Sequence, residues 1–191
     1  MARPAKHDDE VLLARAMEQF WSRGYEATSI RDLEEALELR APAIYRRFES
    51  KDALFARVVD RYVSAVVVPR IERYLGDDAD DPIVALYRFF RTAQSCRGCL
   101  LTNTAVESAA RPPAVRRRVR AGLGRMRRAM QATLERADVD DPARVAEQLL
   151  IAIQGLMVLS RAGFEGAAAR GLTRTVFRSL FPAHPAFAGA A

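Results

Sequence analysis

Leu12, Leu13, Ala16, Met17, Phe20 and Trp21 recur at three- and four-residue intervals, while Arg15, Glu18, Gln19 and Arg23 fall largely outside that stripe. This is the signature of a helix that hides one face. Gly24 is a natural stop, and Thr28 or Ser29 then offers a hydroxyl cap for a short second helix from about Ile30 to Leu37, with Asp32 in its first turn. A third helix opens near Ala41, with Pro42 where a missing N–H costs least and Ile44 and Phe48 one turn apart on its buried side. Tyr45, Arg46 and Arg47 are left pointing elsewhere. Ser50 can cap a fourth helix carrying Leu54, Phe55, Val58, Val59, Tyr62 and Val66, whose later part Pro69 should disturb.

The same period continues to the end of the chain. Asp81-Pro82 starts a fifth helix through Leu86, Phe89 and Phe90, and Leu100 to Ala110 reads as a sixth. Pro112-Pro113 opens a long seventh with Val119, Leu123, Met126, Met130 and Leu134 in one stripe. Asp141-Pro142 begins an eighth with Val145, Leu149, Ile153, Leu156 and Met157, and Gly163 to Gly171 separates it from a ninth with Leu172, Val176 and Leu180. No stretch alternates as a strand does, so the fold class is all-α with nine helices. We place a domain boundary inside the fourth helix, dividing residues 1–55 from 56–191.

Half of the 191 residues are hydrophobic, enough to bury a real core. The N-terminus lacks the apolar run of a secretory signal, and the apolar region near Leu149 to Leu159 is interrupted by Gln154 and Gly155. The expectation is a soluble cytoplasmic protein with no membrane partner. The net charge is +6, yet Met1 to Tyr62 holds 11 Lys and Arg against 12 Asp and Glu. The excess lies later, at Arg111, Arg116, Arg117, Arg118, Arg120, Arg125, Arg127 and Arg128. Those arginines read as a solvated face in preference to a second anion surface. A metal site is not expected, because the two histidines, His7 and His184, stand near opposite ends of the chain. No catalytic constellation and no phosphate-cradling glycine loop appear either, so we expect neither an enzyme nor a cofactor.

Two short helices separated by about three residues, the second with outward basic and aromatic side chains, are what a reader of the major groove requires. Arg40, Ala43, Tyr45, Arg46 and Arg47 suit that work, and Arg40 to Lys51 carries a local charge of +3. Thr28, Ser29 and Arg31 at one helix start, and Lys51 at another, can hold phosphates. From Leu12 to Phe55 the chain resembles the tetracycline-repressor (TetR/AcrR) family. The resemblance is carried by Ala16, Phe20, Gly24, Tyr25, the run Thr28 to Leu33, Ile44-Tyr45, Phe48 and the run Ser50 to Phe55. It implies a sequence-specific regulator, by family default a repressor, that binds a pseudo-palindromic DNA operator as a homodimer and leaves it when a small-molecule effector binds. Tyr45 and Lys51 then correspond to phosphate contacts, Thr28 and Ser29 to contacts of the second helix, and Arg40, Ala41, Pro42 and Ala43 to base-reading positions. The chain departs from the family pattern at Glu38-Leu39-Arg40, where a glycine, a small aliphatic residue and a capping serine are usual.

Beyond the fourth helix, the run Gly98 to Glu107 resembles the start of the sixth helix in one subgroup of the family. The resemblance implies an effector pocket among helices four to eight, with helix six relaying the change to helix four. Phe89, Phe90, Cys99, Asn103, Glu107, Met126, Met130, Gln154 and Met157 are the candidate walls, combining apolar bulk with a few polar groups. Each of them also reads as ordinary core. By resemblance the last two helices form a four-helix dimer interface, through Leu149, Leu150, Ile153, Leu156, Leu172, Val176 and Leu180. Two alternatives stay open. Cys96-Arg97-Gly98-Cys99 at a helix start suits a thiol sensor of oxidants or electrophiles, with Cys99 the first choice; and Glu38 with the near-neutral N-terminal segment suits a ligand-binding module that no longer reads DNA.

Overall fold

A computed structural model describes residues 8–77, 79–93, 97–107 and 112–188, and among them every regular element is helical. The N-terminal unit comprises α1 (Asp9–Arg23), α2 (Ile30–Leu37), α3 (Ala41–Phe48) and the first turns of α4 (Lys51–Tyr62). Asp8 caps α1, Ser29 and Asp32 form a reciprocal capping box on α2, and Ser50 caps α4 through the Ala53 N–H. The apolar stripes converge on one small core. Leu12, Ala16, Phe20, Leu33, Leu37, Ile44, Phe48, Leu54 and Phe55 are all at most 2% exposed, and the Phe20 and Phe55 rings meet edge to face at 4.8 Å.

A π-helical turn, Val63–Val67, joins α4 to α5 (Val68–Leu75) without a break in the helical rod. Pro69 explains it. Proline lacks the N–H that would bond back four residues and its ring crowds that carbonyl, so the rod widens just before it. With the rod counted as one helix the described residues contain nine, as the sequence pattern predicts.

The remaining elements are α6 (Pro82–Arg91), α7 (Leu100–Glu107), α8 (Pro113–Arg136), α9 (Pro142–Arg161) and α10 (Gly166–Leu180). The expected helix through Ala110 reaches the edge of the described residues at Glu107. The last helix begins earlier than the glycine spacing suggests, because Ala167, Ala168 and Ala169 are strong helix formers and join its first turn. The long α8 lies along α9 and also touches α4, α6 and α7, so it is the central strut of the larger domain. Its arginines behave as a solvated face: Arg116, Arg117, Arg120, Arg125 and Arg128 are exposed and Arg118 pairs with Asp60 at 2.7 Å, while Arg111 lies outside the described residues.

Candidate nucleic-acid interface

The Ile44 and Phe48 side chains, 1% and 2% exposed, fix the rotation of α3 about its axis. Everything on the opposite side is thereby presented outward: Tyr45 is 43% exposed, and Arg40, Pro42 and Arg46 are exposed with it. Arg31 is exposed on the neighbouring α2, and Ala41 and Ala43 are half-buried. Among the described residues Arg31, Arg40 and Arg46 pair with no carboxylate. Arg47 is different. Its guanidinium is held by Asp9 at 2.9 Å, and Asp9 also accepts from Arg57 at 2.9 Å. The Arg57 bond, with help from Arg47, holds the Asp9 carboxyl below the usual range.

Glu38 occupies the position where a glycine is usual, with φ 55 and ψ 39. A left-handed backbone at a side chain of this kind is unfavourable. The chain accepts it and ties the carboxylate to Arg15 at 3.0 Å. Arg40 gives α3 no side-chain cap, and Glu34 supplies one from α2: its Oε1 accepts from the Ala41 N–H at 2.6 Å. Glu34 is the residue that sequence reading misses here. Its spacing of seven from Ala41 becomes a contact only once the turn folds back.

The other positions divide. Ser29 is exposed, although its hydroxyl is engaged with Asp32 in the capping box, and that bond holds the Asp32 carboxyl below its ordinary value. The Lys51 ammonium lies 4.1 Å from the centre of the Tyr25 ring, and the Tyr25 hydroxyl donates to Asp52. Thr28 is a correction. It is fully buried and its hydroxyl donates to the Gly24 carbonyl at 2.6 Å, so it braces the α1–α2 turn and has no hydroxyl to offer a phosphate.

The larger domain grips this unit at two places, one on α1 and one in the turn that follows it. The Trp21 Nε1–H donates to the Gly98 carbonyl at 3.0 Å, with the Arg97 guanidinium over its ring at 4.1 Å and paired to Glu18. At the far end of α7, Glu107 Oε2 accepts from the Tyr25 N–H at 2.9 Å. Gly24, at φ 87, has no room for a Cβ because the Glu107 carboxylate occupies that space. Glu107 therefore joins the two domains and is not a pocket wall.

The other predicted pocket residues are likewise placed elsewhere. Phe89, Phe90, Met126, Met130 and Met157 are core at 0–6% exposure. Asn103 donates to the Arg97 carbonyl at 2.9 Å, and Gln154 accepts from Thr102. Neither of two clefts in this domain, one of ≈ 450 Å³ walled by Thr104, Val115, Val119, Leu123 and Leu150 and one of ≈ 490 Å³ beside Tyr87, uses any of them. Cys99 is 3% exposed and sits by the buried Tyr62 phenol, whose pKa is pushed up by loss of solvent and by that neighbour. Burial removes the access a reactive thiol needs, so the thiol-sensor alternative is not favoured; Cys96 lies outside the described residues.

The predicted dimer face is also corrected in part. Leu149, Ile153 and Leu156 are 0%, 1% and 6% exposed inside the subunit's own core. In this region the exposed apolar side chains are Ile151 at 73% and Val158 at 47% on the opposite face of α9, with Phe164 at 49% and Leu172 at 37% at and beyond its end; Val106 on α7 is also 73% exposed. Leu150, Val176 and Leu180 are half-buried. α9 is apolar and long enough to cross a membrane by length and composition, because both of its faces are apolar, not one.

Residues 12–58 match a family profile described as bacterial regulatory proteins of the tetR family, and residues 83–176 match the tetracyclin repressor-like C-terminal domain. The HTH-type transcriptional repressor ComR of Escherichia coli (strain K12) is 28% identical over 174 residues, 84% of this chain and 83% of that protein. BdcR, another HTH-type transcriptional repressor of the same strain, is 27% identical over 104 residues, 52% of this chain and 53% of that protein. A solved structure of a cysteine mutant of the TetR family regulator CifR, complexed with 26-bp double-strand operator DNA, superposes with a TM-score of 0.81 at 27% identity, covering 93% of this chain and 99% of that one.

Proposed function

The chain belongs to the TetR family of DNA-binding transcription regulators, and from that premise we propose a homodimeric repressor that holds a pseudo-palindromic duplex operator and releases it on binding a small molecule. The observation that carries the proposal is the outward face of α3 and its N-cap, with Arg40, Tyr45 and Arg46 around a helix whose rotation Ile44 and Phe48 fix and Arg31 beside them on α2, the three arginines pairing with no carboxylate among the described residues. In this reading the α3 N-terminus enters the major groove with Arg40, Ala41, Pro42 and Ala43 at base edges. Ser29, Arg31, Tyr45, Arg46 and Lys51 hold phosphates. Residues 1–55 act as the reading head and 56–191 as the sensing and dimerisation part. The matched N-terminal segment, which ends at residue 58 inside α4, supports that division.

Ile151, Val158 and Leu172 supply the apolar surface that a second subunit would cover, leaving two heads about 34–36 Å apart on successive major grooves. Effector binding would act through α7, whose last residue Glu107 holds Tyr25 and whose lead-in at Gly98 holds Trp21. Its relatives are regulators and not enzymes, and a cytoplasmic location follows from work on DNA.

The test is selection of binding sites from random duplex DNA by the purified protein at near-physiological salt, since low salt lets any basic protein bind. An inverted repeat is expected. A folded dimer that enriches no sequence would refute the proposal.

A further inference from the structure

At the end of the α4–α5 rod remote from Lys51, roughly 35 Å away for a helix of that length, a cleft of ≈ 490 Å³ opens between α5, α6, α10 and the C-terminal segment. That volume is within the range that small-molecule sites occupy. The cleft is built, not incidental. After α10 the chain turns back on itself, with the His184 N–H bonded to the Phe181 carbonyl at 3.1 Å and the Phe187 N–H to the His184 carbonyl at 2.9 Å. The His184 Nε2 lies 3.2 Å from the Asp81 carboxylate that caps α6. Phe187, 4% exposed, is seated between Tyr87 at 5.1 Å and Phe177 at 5.3 Å, which anchors that wall of the cleft.

The chemistry of the lining is one-sided. Tyr74, Tyr87 and Phe187 supply aromatic surface, and Arg88, Arg91 and Arg174 supply three exposed guanidiniums. Among the described residues none of the three pairs with a carboxylate, and none lines the cleft with a counter-charge. Some arginines elsewhere on this molecule are answered by acids, as at Asp9, Asp60, Asp77 and Asp141, and these three are not. Three planar forks around an aromatic cleft fit a flat ring bearing a carboxylate, which the forks grip while the ring lies on the tyrosines.

We infer that this cleft binds an aromatic carboxylate. The site is separate from the DNA face, and its test needs no operator, so it stands or falls independently of the proposed repression. The experiment is isothermal titration of the full chain with 2-naphthoate, with neutral 2-naphthamide and inorganic phosphate as controls, on the wild type and on an Arg88→Ala/Arg174→Ala variant whose thermal unfolding is checked. Both arginines are exposed, so the variant should fold. The expected result is one naphthoate per subunit, with the amide and phosphate each at least about tenfold weaker and naphthoate weakened at least about tenfold in the variant. The inference is overturned if the amide binds as well as the acid, if phosphate alone binds as well, if the folded variant retains naphthoate affinity, or if naphthoate does not bind up to about 5 mM.

Discussion

Glu38 offers a way to measure how much the recognition turn tolerates. Its left-handed backbone, φ 55 and ψ 39, costs a residue with a Cβ about 1–2 kcal/mol. The pair with Arg15 at 3.0 Å is exposed on both sides, 34% and 46%, and such pairs return about 0.2–1 kcal/mol. Two substitutions separate these effects. Glu38→Gly and Glu38→Val both remove the carboxylate, but only valine must still hold the left-handed conformation, with a β-branch that fits it poorly. The glycine variant should stay within about 1 kcal/mol of the wild type, because relief of the backbone offsets the lost ion pair. The valine variant should be about 1–2 kcal/mol less stable than the glycine one. For a chain of this size that is a separation of about 2–8 °C in Tm, read by circular dichroism at one protein concentration because the proposed dimerisation would couple to stability. Operator affinity should follow the same order, since Leu39-Arg40 leads directly from this residue into α3. Equal melting temperatures for the two variants would show that the left-handed residue is not strained and that the ion pair alone accounts for Glu38.

Tyr45→Ala and Lys51→Ala should weaken binding to every DNA sequence, by about 1 kcal/mol each, whereas Arg40→Ala should change which sequences are enriched; an unchanged affinity for Tyr45→Ala would displace α3 from the groove. Ile151→Arg places a charge at the centre of the exposed α9 face and should convert the proposed dimer to monomer in analytical ultracentrifugation, with the helical content retained; a persistent dimer would put the interface elsewhere. Glu107→Ala strips the Tyr25 N–H of its carboxylate, a charged hydrogen bond of about 1.5–3 kcal/mol, and hydrogen exchange at Tyr25 should quicken while exchange in the α8 core is unchanged. The Asp9 carboxyl titrates below its ordinary 3.8 because Arg57 holds it ionised, so its contribution is complete above that pH and is lost as pH falls through the lower folded value. In Arg57→Ala the Asp9 midpoint, followed by NMR, should move back toward 3.8.

Periodicity and end signals carry the helices, because each is a local agreement between a cap, a stripe and a stop. Ser29 with Asp32, Pro42 in its first turn, Ser50 and Asp81-Pro82 all sit where the sequence places them. Pro69 carries its disturbance as well, although the pattern does not say that the rod widens into a π turn at Val63–Val67 and continues. The outward face of α3 was legible for the same reason: once Ile44 and Phe48 are inward, helical geometry sends Tyr45 and Arg46 outward.

What a one-dimensional pattern leaves open is which of two equivalent choices the tertiary structure takes. α9 is apolar on both faces, and only contact with α8 makes Leu149, Ile153 and Leu156 core and leaves Ile151 and Val158 exposed. Thr28 and Ser29 are chemically alike, yet one is buried against Gly24 and the other caps α2 in the open. Phe89, Met126 and Met130 are candidate pocket walls for which ordinary core is the stronger reading of the sequence, and in the fold they are buried core. Glu107 and Tyr25 are 82 residues apart, and no local rule joins them. The sequence by itself determined the helices, their caps, the fold class and the reading head, because those rest on neighbours within about one turn; the inter-domain clasp, the exposed apolar face of α9 and the arginine-lined cleft depend on contacts between distant segments, and those only the folded chain decides.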